Sequence, residues 1–250
     1  MSGVQTVKIP VLIYHHINNH PGDIVTVTPE IFSAQMKYLF DEGYETLSVR
    51  ELMRFIVGEY APSAKAVLIT FDDGWLDNYL FAVPLLQHYN LKSTHFLITG
   101  RVDAVNISEN VRQTPDHESC KKLIQCGLAG EVVLGWDLVI ELDREPLFEF
   151  FSHTVSHRRC ASLTTDELII ELEVSKKTLE AQLGKPCDYL CWPYGSYSQS
   201  ALECAAQIGY KGTFSTIDGF CTRGSDPFLV NRIEVRDSLE WFKSRLSAES

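Results

Sequence analysis

Two adjacent carboxylates and a pair of histidines are the residues from which chemistry can be read in this chain. Asp72 and Asp73 stand in Thr70-Phe71-Asp72-Asp73-Gly74, directly after the apolar, β-rich run Ala66-Val67-Leu68-Ile69. His153 and His157 stand far along the chain in His153-Thr154-Val155-Ser156-His157. Two imidazoles and one carboxylate form an ordinary ligand set for a catalytic divalent cation, with positions left for water and substrate. Neighbouring side chains at a strand end point to different sides, so one aspartate can face a cation while the other faces a substrate. Each stretch alone also fits something plainer. Asp-Asp-Gly makes a good solvated turn, and His-x-x-x-His is met as a pair of surface histidines. Occurring together, at the ends of two predicted strands, they favour a metal site.

The elements that must position these residues alternate. Val7 to Tyr14 reads as a strand that delivers His15 and His16 at its end. Thr28-Pro29-Glu30 opens a predicted helix that Gly43 stops, Glu45 to Leu47 reads as a short strand, and Ser48 caps a helix over Val49 to Ile56. The Asp72 strand is followed by a predicted helix from about Leu76 to His88, with Pro84 as a kink. Ser93 to Thr99 and Leu147 to Phe151 read as strands, the second leading into His153. Between them, Gly100 to Gly135 shows weak periodicity and reads as an insertion over one face; it holds the triplet Asn106-Ile107-Ser108. Trp136 to Leu142 reads as a helix within the same connection. A capping box near Thr164 opens a long helix to Leu183, and strands follow at Tyr189 to Trp192, Gly212 to Ser215 and Val230 to Val235. Helices over Gln199 to Ile208 and Leu239 to Leu246 complete the pattern. No repeat, low-complexity tract or linker interrupts it. This predicts one parallel α/β domain over residues 1–250, most simply a barrel. In a barrel all strand ends meet on one face, so His15, Asp72, Asp73, His153, His157 and the Trp192-Pro193-Tyr194-Gly195 turn converge there.

Composition narrows the partners. A formal net charge of −11 argues against a nucleic-acid binder, which is normally basic. No apolar run has the length of a membrane span. The first residues show no export signal, so the expected location is cytoplasmic for the chain as given, or exported if a leader precedes it. Seven cysteines, an odd number without a Cys-x-x-Cys pair, fit reduced and mostly buried thiols.

Thr-Phe-Asp-Asp-Gly, then Ser-His-Thr-Val-Ser-His, then Trp-Pro-Tyr-Gly, resembles the polysaccharide deacetylase family, the NodB-homology domain. The resemblance runs from Ile9 to about Val235. It implies a distorted (β/α)7 barrel and hydrolysis of an N-acetyl amide on an amino sugar. It implies that Asp73, His153 and His157 hold a divalent metal, usually zinc, and that Asp72 is the general base. In such a reaction the cation polarises the acetyl carbonyl, and a backbone N–H near Tyr194 helps to hold the oxyanion.

The chain departs from the family pattern twice. Where the family has an arginine two residues before the proline of the third motif, this chain has Cys191; Arg232, on the last predicted strand, is the candidate to replace it. The family's late Leu-x-His is missing, because His157 is the last histidine. Ile-Pro-Val-Leu-Ile-Tyr-His-His-Ile at the start, however, resembles the permuted poly-N-acetylglucosamine deacetylase subgroup, which points to His15 as the general acid. His16 then reads as a neighbour that packs or hydrogen-bonds. Trp192, Pro193 and Tyr194 are candidates to contact an N-acetylated glycan, with Trp75 beside them; as apolar residues they fit a core equally well. Two other readings remain open: hydrolysis of a small non-sugar amide, and a carbohydrate-binding pseudoenzyme.

Overall fold

The computed structural model describes residues 7–102 and 114–247. The first apolar run forms β1 (Ile9–Tyr14), buried throughout, and β2 (His16–Ile17) pairs with β3 (Thr26–Val27) beside it. Thr28 caps α1 (Pro29–Asp41) by accepting from the Ile31 N–H, and Pro29 sits where its missing N–H is not needed. β4 (Glu45–Thr46) leads to α2 (Val49–Ile56), which opens on a full capping box between Ser48 and Glu51. β5 (Ala66–Phe71) then delivers Asp72 and Asp73.

The expected helix over 76–88 contains a π-helical stretch, Asn78–Ala82, which passes into α3 (Val83–Tyr89) with Pro84 in its first turn. Proline lacks an N–H and crowds the carbonyl four residues back; the wider turn accommodates both. β6 (Ser93–Leu97) precedes the insertion, whose described part holds α4 (His117–Gln125), a 3-10 turn at Ala129–Glu131 and α5 (Trp136–Asp143). The Asn106-Ile107-Ser108 triplet lies outside the described residues.

β7 (Phe148–Ser152) ends at His153. The long helix that follows runs in three pieces: α6 (Thr165–Ile169), a π-helical stretch Ile170–Val174, and α7 (Ser175–Leu183), closed by Gly184. β8 (Tyr189–Cys191), α8 (Gln199–Ile208), β9 (Gly212–Phe214), β10 (Phe220–Cys221), β11 (Ile233–Glu234) and α9 (Leu239–Ser247) complete the chain.

The main sheet runs β10-β1-β5-β6-β7-β8-β9, with β4 on β5 and β11 on β1. Every pairing in it is parallel except β1 with β10, an antiparallel pair the sequence pattern did not announce. The strand expected over 230–235 is divided. Val230 bridges Phe214 of β9, and Ile233 and Glu234 pair with Leu12 and Ile13 of β1. That divided stretch closes the sheet between β9 and β1, giving seven barrel positions and a distorted (β/α)7 barrel. Strands buried on both faces read as continuous apolar runs, which is why β1 and β5 carry no alternation. The seven cysteines are all unbridged, and only Cys126 is exposed. No helix among the described residues is long and apolar enough to cross a membrane.

Candidate active site

Parallel pairing brings the C-terminal ends of β1, β5, β7 and β8 to one face, where a cavity of about 490 Å³ opens. His15, Asp72, Asp73, His153, His157 and Tyr194 all line it. Register sets the neighbours: Tyr14 of β1 pairs with Phe71 of β5, so His15 and Asp72 emerge side by side. The His15 Nε2 lies 4.0 Å from Asp72 Oδ2.

Asp72 and Asp73 diverge as alternating side chains should. Asp72 turns to Arg232, which is fully buried and gives it two hydrogen bonds of 2.8 Å, Nη1 to Oδ1 and Nη2 to Oδ2. Arg232 is therefore the guanidinium that the third motif lacks. Cys191 leaves room for it: the Arg232 Nη2 lies 2.9 Å from Cys191 Sγ, and that thiol approaches Asp72 Oδ2 at 3.5 Å. Burial pushes the Asp72 carboxyl up, but the Arg232 charge and hydrogen bonds outweigh it and bring its pKa to about 2.

Asp73 turns to the histidines. Its Oδ2 accepts from the Trp75 indole N–H at 3.1 Å, while Oδ1 lies 3.4 Å from His153 Nε2 and 3.2 Å from His157 Nε2. Oδ1 is buried and accepts no hydrogen bond among the described residues. Burial alone would raise the Asp73 carboxyl; His153 above all, facing it, holds it well below its ordinary value. His153 donates Nδ1–H to the Cys191 carbonyl at 2.8 Å, which leaves its Nε2 aimed at Asp73. Burial lowers the His157 pKa to about 3, against the pull of Asp73, so the ring is neutral and its lone pair available.

One oxygen and two ring nitrogens, all within 4.8 Å of one another and one of them an orphaned buried acceptor, fit a divalent cation with open positions. A second trio, Asp72, His153 and Cys191, also comes together. It suits a cation poorly, because Arg232 already occupies both oxygens of Asp72 and lies against the thiol.

The backbone is bent to make this arrangement. Asp73, Thr154, His157 and Tyr194 all have left-handed φ, at 73°, 67°, 62° and 57°. Non-glycine residues there cost about 1–3 kcal/mol each and persist where the surroundings over-determine them. The His153–His157 spacing is thus realised as a tight loop and not as a helical turn. Glu171 holds that loop from below, accepting from the Val155 and Ser156 N–H groups at 3.0 and 2.9 Å and from the Ser156 hydroxyl. It comes from the π-helical stretch, and nothing in the sequence set it apart from other helical acids. Gly195, at φ 59°, closes the Tyr194 turn, and a Cβ there would lie 2.1 Å from Thr216 Oγ1.

The other residues of that turn divide between the cavity and the core. Tyr194 is exposed, with its ring 4.5 Å from that of His157. Trp192 is fully buried, its backbone N–H bonded to the Phe214 carbonyl, and neither it nor Pro193 lines the cavity. Trp192 continues the β8 direction into the core, so its ring packs instead of meeting solvent. Trp75 is also buried, yet it reaches the cavity wall. His16 is buried and stacked on Trp75 at 4.1 Å.

Comparison with known proteins identifies the family. The sequence pattern of the family described as "Polysaccharide deacetylase" matches residues 59–213. YxkH of Bacillus subtilis, named as a polysaccharide deacetylase, is 31% identical over 228 residues, which is 91% of this chain and 71% of that one. The poly-beta-1,6-N-acetyl-D-glucosamine N-deacetylase of Staphylococcus aureus is 26% identical over 212 residues, 85% of this chain and 68% of the other. Among solved structures, the Streptococcus pyogenes deacetylase PplD in complex with acetate superposes with a TM-score of 0.81 at 27% identity, covering 98% of this chain and 99% of that one. The family match over residues 59–213 and the 31% identity to YxkH over 91% of this chain make this chain a member of the polysaccharide deacetylase family.

Proposed function

We propose that the chain is a metal-dependent carbohydrate N-deacetylase that hydrolyses the acetamide of N-acetylglucosamine units in a glycan, working as one catalytic domain. The observation that carries this reading is the placing of Asp72. Arg232 keeps it anionic, His15 stands 4.0 Å away, and the Asp73–His153–His157 cluster lies next to it. Family membership supports the deacetylation, and the name of the S. aureus relative supports the amino sugar.

Asp73, His153 and His157 would hold the cation. When bound, it supplies Lewis acidity and acidifies water, which so weak a base as Asp72 requires. Asp72 takes the proton from the attacking water, and Arg232 fixes the carboxylate while it does so. The Tyr194 N–H is assigned to the developing oxyanion. Within that turn, Gly195 and Ser196 spend their N–H groups on the Trp192 and Pro193 carbonyls. His15 gives a proton to the leaving nitrogen as the C–N bond breaks, so that water and amide become acetate and a free amine.

Acetate release from β-1,6- and β-1,4-linked N-acetylglucosamine oligosaccharides and from small acetylated amides tests this reading. Release from the oligosaccharides is expected. Turnover confined to the small amides would overturn it.

A further inference from the structure

Beneath one wall of the cavity lies a second polar chain with no part in the chemistry above. Asp77 and His16 are both fully buried, with Asp77 Oδ2 2.5 Å from His16 Nδ1. Asp77 also accepts from the Ile17 N–H at 3.2 Å, the Asn78 amide at 3.0 Å and the Asn18 amide at 3.0 Å. A carboxylate surrounded by donors in this way takes Nδ1 of His16 as another donor. The other His16 nitrogen, Nε2, lies 3.0 Å from His117 Nδ1. His117 is only partly buried and lines the cavity, so its Nε2 is the ring nitrogen left to face it.

The wall that carries His117 is α4. His117, Lys121, Ile124 and Gln125 recur at helical spacing and all line the same cavity as the metal-ligand candidates. The segment that follows the helix is fixed to the catalytic loop. Trp75 forms a β-bridge with Val133, Leu76 N–H bonds the Val132 carbonyl and Leu134 N–H bonds the Gly74 carbonyl, both at 2.9 Å. Trp75, Cys120, Val132 and Val133 make a small core of their own. A side chain held in this way, with its Nε2 making no hydrogen bond among the described residues, suits recognition.

We infer that His117 is a substrate-positioning residue whose Nε2 accepts a hydrogen bond from a ring hydroxyl of the N-acetylated glycan, its orientation set by the Asp77–His16 pair. Burial and the neighbouring His16 lower the His117 pKa, which favours the neutral ring this needs. With Nδ1–H donated to His16 Nε2, the remaining nitrogen is an acceptor. This rests on the glycan reading above and adds which wall grips the sugar.

The test is acetate release by metal-loaded protein from a fully N-acetylated glucosamine tetrasaccharide and from a small aryl acetate. His117→Ala and His117→Phe should raise KM for the tetrasaccharide about five- to ten-fold, the loss of one hydrogen bond. They should leave kcat, the small ester and bound metal unchanged. His117→Gln, which keeps an acceptor, should recover most of the loss. An unchanged KM, an equal loss on both substrates, or no recovery with glutamine overturns the assignment while the glycan reading stands. A wild-type protein that releases acetate from the ester but from no glycan defeats the glycan reading, and the assignment with it.

Discussion

Arg232 meets Asp72 through two parallel hydrogen bonds of 2.8 Å, although 160 residues of sequence separate them. Both side chains are buried. Loss of one partner from such a pair leaves an uncompensated charge in the interior and costs about 3–5 kcal/mol.

Arg232→Met is therefore expected to destabilise the chain by about that amount in chemical denaturation. It should also change the pH profile. The Asp72 carboxyl is lower in the folded chain, at about 2, than its ordinary 3.8. The pair's stabilisation is thus fully present above about pH 4 and is lost as pH falls through about 2. Without Arg232, burial is opposed only by the smaller pull of His153 and His15, so the Asp72 pKa should rise and the acidic limb of kcat/KM should move to higher pH. A limb that does not move would show that Arg232 does not hold the base.

His15→Ala should lower kcat by roughly 10²–10⁴ and remove the alkaline limb of the pH profile, because an acid must be protonated to act. Bound metal should stay at the wild-type level, since His15 lies near Asp72 and outside the Asp73 cluster. Full activity in this variant would mean that another group protonates the amine.

Glu171→Ala touches no proposed ligand, yet it removes the acceptor that holds the Val155 and Ser156 N–H groups. The His153–His157 loop should relax, and metal affinity should fall roughly 10–100-fold, as for other residues that orient ligands. Competition with a chromophoric chelator measures this. Unchanged affinity would show that the left-handed residues hold the loop without help.

Sequence made the strand ends legible and left their cross-links hidden. Ala66 to Phe71 could be read as a buried parallel strand because it is apolar throughout, and that placed Asp72 and Asp73 on the ligand-binding face. Arg232 is named as the replacement arginine only from its place on a strand, since no spacing rule ties it to Asp72. The last strand was read too long because Val230 bridges β9 while Ile233 and Glu234 pair with β1. Trp192 carried a signal for sugar stacking that is indistinguishable from a core tryptophan. Asp77, His16 and His117 meet through contacts across the fold, and Glu171 depends on a π-helical turn that side-chain periodicity does not mark.

The most direct measurement follows bound metal and acetate release together, on wild-type protein stripped with a chelator and refilled with zinc. Activity on an N-acetylglucosamine oligosaccharide should disappear with the ion and return in proportion to it. Asp72→Asn should bind metal as the wild type does and release no acetate, whereas Asp73→Asn should lose the metal. Full activity in the stripped protein, or an Asp73→Asn variant that keeps its ion, would contradict a cation held by Asp73, His153 and His157 beside an Asp72 base.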